Sequence, residues 1–220
     1  MSLLKKIETE FGVIGIWKIT ESLQELELKF NPSEKERVEL SLISAEKRKK
    51  EFITVRILLK ELLGFSPEIT YEKTGKPKLA NSTLNISISH SRDLVAVFIS
   101  DLCTGIDVEN YERDVSNIAP RFLHQSEIEF VEKSTNKQHS TIILWCAKEA
   151  IFKCCSEQGI QFNNEIIVQP FQIKENQSFL GKRIGSTHTS YFELWFFYVE
   201  NNVVVCCVEI KKPKPSPLWG

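Results

Sequence analysis

A chain of 220 residues is long enough for one good core or two small ones. A formal net charge of −1 sets it apart from general nucleic-acid binders, and 42% hydrophobic with 26% charged residues is ordinary for a soluble globular protein. No stretch has the apolar length needed to span a membrane, and Met1-Ser2-Leu3-Leu4-Lys5-Lys6 lacks the apolar run of a signal peptide. A cytoplasmic protein with neither nucleic-acid nor membrane partners is expected. The cysteines at 103, 146, 154, 155, 206 and 207 show no C-x-x-C spacing. That pattern suits buried free thiols in a reducing compartment better than a zinc site or a secreted disulfide framework.

In chain order, Val13 to Ile19 reads as a first strand. Thr20 or Ser22 caps a short helical stretch reaching about Leu28, and Ser33-Glu34-Lys35-Glu36 opens another. From Ser44 onward, Phe52, Val55, Leu59, Leu62 and Leu63 recur at spacings of three and four. They predict the long helix of the first half, stopped by Gly64, with Lys47, Arg48, Lys50 and Arg56 on its polar side or flanks. Ile69-Thr70-Tyr71 makes a short strand before a turn at Thr74-Gly75-Lys76-Pro77. Leu84 to His90 alternates like a half-buried strand, and Leu94 to Ser100 is an apolar one; Ser91-Arg92-Asp93 joins them as a hairpin.

Thr104 to Glu109 is the next strand, followed by a polar loop from Asn110 to Asn117 and short helical segments from Ile118. Ser140 starts the long helix of the second half. Strands are expected at Glu165 to Val168, Phe171 to Lys174, Tyr191 to Val199 and Val203 to Ile210, then a disordered or loosely docked tail. Both halves run strand, helices, then several strands. With hairpin-length connections, this favours an α+β fold with mainly antiparallel sheets.

The chemistry centres on Gly105-Ile106-Asp107-Val108-Glu109. Strand side chains alternate faces, so Asp107 and Glu109 share one face while Ile106 and Val108 enter a core. Gly105 lets the backbone bend or come close to a ligand where a side chain would obstruct it. Paired carboxylates repel unless a cation sits between them, and hard oxygen ligands suit magnesium or calcium. On the second long helix, Trp145, Glu149 and Lys153 form one stripe at spacings of four. An exposed Glu–Lys pair beneath a core Trp is the plain reading; facing Asp107 and Glu109, Glu149 becomes a third oxygen ligand or a base.

Ser87-Ile88-Ser89-His90-Ser91 places hydroxyls and an imidazole at a strand end, where they can bind phosphate oxygens. A Ser-His-Asp hydrolase is less well supported: Ser89 and His90 point to opposite faces, and no G-x-S-x-G elbow is present. Neither a P-loop nor a Rossmann fingerprint occurs. What remains is a carboxylate cluster that wants a divalent ion and basic or hydroxyl groups, Lys76 among them, that want phosphate. A metal bridging carboxylates and a pyrophosphate satisfies both.

The order GKP, SISHS, GIDVE and WCAKEAIFK resembles the 4′-phosphopantetheinyl transferases of the surfactin-synthetase-activating type, over a span from about Ser44 to Lys153. The resemblance implies a monomer of two similar α/β lobes with mainly antiparallel sheets, a long helix in each and a pseudo-two-fold. Residues 1–102 would form the first lobe, 103–211 the second with the metal site, and 212–220 a tail. It also implies transfer of 4′-phosphopantetheine from coenzyme A to a serine of an apo acyl or peptidyl carrier protein. By the same resemblance, Asp107, Glu109 and Glu149 hold magnesium, with manganese compatible with the same oxygens. Glu149 is the base for the carrier serine, and Lys153 binds the phosphates and the leaving 3′,5′-ADP.

Lys76, Ser89 and His90 resemble residues around the pyrophosphate, adenine and 3′-phosphate; Lys47, Lys50 and Arg56 resemble a basic set reaching the nucleotide. The segment Ile118 to Phe122, with Glu127 beyond, would border the carrier cleft, and Arg113, Arg121 and Phe122 are the expected partner contacts. Ser87 departs from the family's common Asn, and Pro120 falls within a segment expected to be helical. Two other functions compatible with these residues are a catalytically silent carrier- or coenzyme A-binding module and a metal-dependent phosphohydrolase that uses water.

Overall fold

A computed structural model describes residues 3–213, so the tail expected to be disordered lies, from residue 214 on, outside the described residues. Strands β1 (Leu3–Thr9), β2 (Gly12–Lys18), β3 (Ile69–Tyr71), β4 (Pro77–Leu79), β5 (Asn85–Ser91) and β6 (Leu94–Ser100) make one sheet in the order β1-β2-β6-β5-β4-β3. Strands β7 (Thr104–Asn110), β8 (Ile166–Val168), β9 (Phe179–Ile184), β10 (Thr189–Val199) and β11 (Asn202–Ile210) make a second, ordered β7-β11-β10-β9-β8. Neighbouring strands pair antiparallel in both sheets. The α+β class read from the sequence therefore holds.

The helices start where the sequence offers caps. Ser22 and Ser33 each close a capping box, with Glu25 and Glu36, at α1 (Leu23–Lys29) and α2 (Glu34–Ser41). α3 (Glu46–Leu63) ends on Gly64, whose φ of 79° is a left-handed stop that a Cβ would disfavour. In the second half come α4 (Ala119–Phe122), α5 (Gln125–Lys133), α6 (Lys137–Cys155) and α7 (Phe162–Glu165). α6 begins a turn earlier than Ser140 because the Asn136 side chain caps it. Pro120 sits in the first turn of α4, where its missing N–H has no partner to lose.

The layers run helix, sheet, sheet, helix. Leu58 and Leu59 of α3 meet Val95 and Val97 of β6 on the outer face of the first sheet. Between the sheets, Ile14, Ile16 and Phe98 face Ile106, Val108 and Trp195. Beyond the second sheet, Ile143 and Ala147 of α6 pack near Phe196 and Val205. β6 is thus buried on both faces, which is why it reads apolar throughout. Among the described residues, no helix is long and apolar enough to cross a membrane.

Three strands escape the sequence reading, and one expected strand is absent. β1 reads LLKKIET and is largely exposed, so its pattern carries little burial signal. β4 is only three residues long, and β9 includes Gly181. Conversely, Phe171 to Lys174 forms no strand. Phe171 instead stacks on Phe179 at 4.4 Å and tilts against Phe130 at 5.0 Å. The apparent alternation there is a ring anchored in an aromatic cluster.

The two sheets also meet at β5 and β7, and side chains bridge them. Ile106 N–H donates to Ser87 Oγ at 3.0 Å, and Val108 N–H to Ser89 Oγ at 3.3 Å. Two serines of the SISHS stretch thus satisfy amides of the acidic strand.

Candidate active site

Gly105 sets the site's geometry. A Cβ there would overlap the carbonyl oxygen of Ala150, so the glycine lets α6 lie directly on β7. The close approach at Gly105 is to a helix, not to the ligand expected there. It brings Glu149 and Lys153 over the strand that carries Asp107 and Glu109.

Asp107, 5% exposed, accepts at Oδ1 from Lys153 Nζ at 2.8 Å and from Ser89 Oγ at 2.9 Å. Lys153 Nζ also donates to Ser89 Oγ at 2.9 Å and to the Ile106 carbonyl at 3.0 Å. Ser89 Oγ therefore donates once and accepts twice, using its full capacity. Glu109 Oε1 accepts from Trp145 Nε1 at 3.2 Å and is ion-paired to Arg113. The stripe of Trp145, Glu149 and Lys153 faces the acidic strand as its periodicity predicts.

The carboxylates feel each other. Burial, then the charge of Asp107, lifts Glu149 from 4.5 to about 7, with Lys153 pulling it down and Glu109 adding to the rise. Glu109 is also raised, first by burial and then by Asp107, against Arg113, Trp145 and Lys153. Asp107 Oδ2 is buried and has no hydrogen-bond partner.

Among the described residues, no three carboxylate, imidazole or thiol side chains converge tightly enough to hold a metal ion as they stand. Lys153 and Arg113 pair with one oxygen of Asp107 and of Glu109 respectively. The orphaned Asp107 Oδ2 and the mutual repulsion are what a hard cation relieves, so the donor set suits one.

Three clefts open around this centre. Thr74, Gly75 and Lys76 face Ser87 and Lys153 across the first. Arg48, Tyr71 and His90 line the second. Arg121, Trp145, Glu149 and Phe162 line the third. Asp107, Ser89 and Lys153 make one bonded cluster, with Glu149 and Glu109 beside it.

Lys76 Nζ donates to the Cys154 carbonyl at 2.7 Å and to Cys103 Sγ at 3.3 Å, at the wall of the cleft it shares with Lys153. His90 is exposed at the second cleft; desolvation lowers its pKa, Glu51 opposes this, and Lys153, Arg48 and Lys47 add to it. Lys47 lies exposed 3.8 Å from Glu51, and Lys50 pairs with Glu46 at 3.3 Å.

Arg56 corrects the expectation of a nucleotide contact. Its side chain is 4% exposed, bonded to Glu36 at 2.9 Å and Glu39 at 3.2 Å, and its Cζ lies 3.3 Å from the centre of the Phe52 ring. A guanidinium so engaged joins α2 to α3 and has little left for a phosphate. Both arginines line the second cleft; Arg48 is the more exposed of the two and is bonded to Glu51 at 2.9 Å. The basic run was the available signal; the helical phase that selects Arg48 was not assigned.

Of the expected partner contacts, Arg121 lines the third cleft and Arg113 is committed to Glu109. Phe122 is 2% exposed and sits edge-on to Trp145 at 5.0 Å, so it is a wall of the cleft, with little surface to offer a partner. Lys148 was read only as part of a motif. It is fully buried, 2.7 Å from Glu127, and donates to the carbonyls of Phe162 and Ile166. Burial pushes Lys148 down and Glu127 up, and their pairing opposes both shifts.

Fold and site together define an α+β protein of two antiparallel sheets, with a carboxylate–lysine centre where they meet. Residues 103–208 match the 4′-phosphopantetheinyl transferase superfamily, the family that the motifs resemble, and this second half carries that family's domain. The chain is 30% identical over 131 residues to the 4′-phosphopantetheinyl transferase gsp of Aneurinibacillus migulanus. That match covers 57% of this chain and 53%, about half, of the relative's length. The solved holo-[acyl-carrier-protein] synthase (AcpS) of Thermotoga maritima aligns with 50% of this chain and 64% of its own, at 20% identity and a TM-score of 0.40.

Proposed function

We propose that the protein transfers 4′-phosphopantetheine from coenzyme A to a serine hydroxyl of an apo acyl or peptidyl carrier protein, releasing 3′,5′-ADP. The observation that carries this reading is the placement of Glu149, lifted to about 7, beside the bonded Asp107–Ser89–Lys153 cluster at the meeting of basic clefts. Asp107, Glu109 and Glu149 would hold magnesium or manganese. When bound, the ion supplies charge stabilisation to a pyrophosphate.

The chain's own groups do the rest. Glu149 is the carboxylate available beside the cluster to take a proton from a serine hydroxyl, which is a poor nucleophile until it is deprotonated. Breaking a phosphoanhydride leaves charge on the departing oxygen, and Lys153, with Lys76 across the same cleft, is placed to meet it. Arg48 gives the second cleft positive charge for the nucleotide beside His90, with Lys47 and Lys50 on the same helix. Arg121 beside Glu149 suits an acidic carrier, favouring encounter through complementary charge. The protein acts as a cytoplasmic monomer in this reading.

The test follows 3′,5′-ADP. Release that requires both coenzyme A and an apo carrier supports the transferase. Release without a carrier would make the protein a phosphohydrolase, and binding without release would make it a silent module.

A further inference from the structure

We infer that Cys103 and Cys154 form a thiol-oxidation site, which small-molecule disulfides convert to an intramolecular disulfide at the junction of the two sheets. Cys103 lies in the link between β6 and β7 and is half-buried; Cys154 lies in the last turn of α6 and is buried. Their Sγ atoms are 2.8 Å apart, and Cys103 Sγ is 3.1 Å from the Cys154 carbonyl. A disulfide needs a separation of about 2.05 Å, so closure requires a shift of less than about 1 Å. From the other side, Lys76 Nζ stands 3.3 Å from Cys103 Sγ, a cation beside the more accessible sulfur.

The chemistry balances without a metal. Cys103 loses its proton to solvent and attacks one sulfur of the small disulfide, forming a mixed disulfide and expelling the first small thiol. Cys154 then loses its proton and attacks Cys103 Sγ, expelling the second. Two protein thiols are oxidised, and one small disulfide is reduced to two thiols. Its hydrogen bond to the Cys154 thiol, with burial, holds Cys103 well above the usual thiol range, and Lys76 offsets this in part. Exchange at Cys103 is therefore slow.

The loop closed by this bond runs from residue 103 to residue 154. It contains Asp107, Glu109, Glu149 and Lys153, so oxidation braces the segment that carries the candidate site.

The full chain is incubated with oxidised glutathione and mapped as non-reduced peptides. The expected result is a Cys103–Cys154 peptide with the loss of two hydrogens. A Tm rise of at least about 3 °C, reversed by dithiothreitol, should accompany it. C155S should retain the link, and C154S should stop at a glutathione adduct on Cys103. A link from Cys154 to Cys207, or folded wild-type protein with no Cys103–Cys154 peptide after prolonged exposure, overturns the inference. The map is read on wild-type protein and does not depend on the proposed transfer reaction.

Discussion

Glu149 is the residue on which the chemistry turns, and its raised pKa has a consequence for stability. Its folded-state value near 7 lies above the ordinary 4.5, so the folded protein binds this proton more tightly than the unfolded chain does. The favourable contribution is present at low pH and is lost as pH rises from about 4.5 to about 7. Glu109, raised as well, acts in the same direction. Metal-free protein carrying Glu149→Gln should therefore melt higher than wild type at pH 8, with the gain gone by pH 4. Thermal melts in chelator test this, and a lower Tm for the variant at pH 8 would contradict it. The same substitution should slow carrier modification by about two to four powers of ten, the usual worth of base assistance.

The acidic pair and the stripe of Trp145, Glu149 and Lys153 were legible because both arise from local periodicity, two along a strand and four along a helix. Arg56 was not, because the two carboxylates that claim it come from α2, and no spacing within α3 reveals them. The burial of Phe122 was hidden for a similar reason: the ring it packs against, Trp145, lies on another helix.

Among the elements, α6 is held from two sides. Its buried Lys148 ties it to Glu127 of α5 and to carbonyls at α7 and β8. Lys148→Met should destabilise by about 3–5 kcal/mol, since it strands a buried carboxylate, whereas Lys148→Met with Glu127→Leu should recover most of that. Denaturant melts of the single and double variants check it; equal losses would show that packing, not charge, dominates. On the strand side, Gly105→Ala would drive a methyl into the Ala150 carbonyl. A loss of about 1–3 kcal/mol or more is expected, with reduced activity, because the helix must lift away from β7. That glycine could be read as a point of close approach, but nothing local showed what approaches.

For the whole molecule, the two sheets are joined at the site itself. Ser87 and Ser89 bridge to amides of β7, and Ser89 also holds Asp107 and Lys153. Ser89→Ala leaves a buried amide and a carboxylate oxygen each short of a partner, at a cost of about 1–3 kcal/mol. It should lower stability and activity together, and activity retained at full stability would separate the seam from the chemistry. The sequence showed hydroxyls at a strand end but not that they face a strand from the other sheet. Long-range placement, unlike periodicity, leaves no trace in neighbouring residues.

The most direct test is the intact mass of apo carrier proteins incubated with the protein, coenzyme A and magnesium. The account predicts the gain of one phosphopantetheine on a single serine of at least one fatty-acid, polyketide or peptide-synthetase carrier, abolished by Asp107→Ala in a variant that still folds. No gain across that panel, or a gain undiminished in the Asp107 variant, would contradict it.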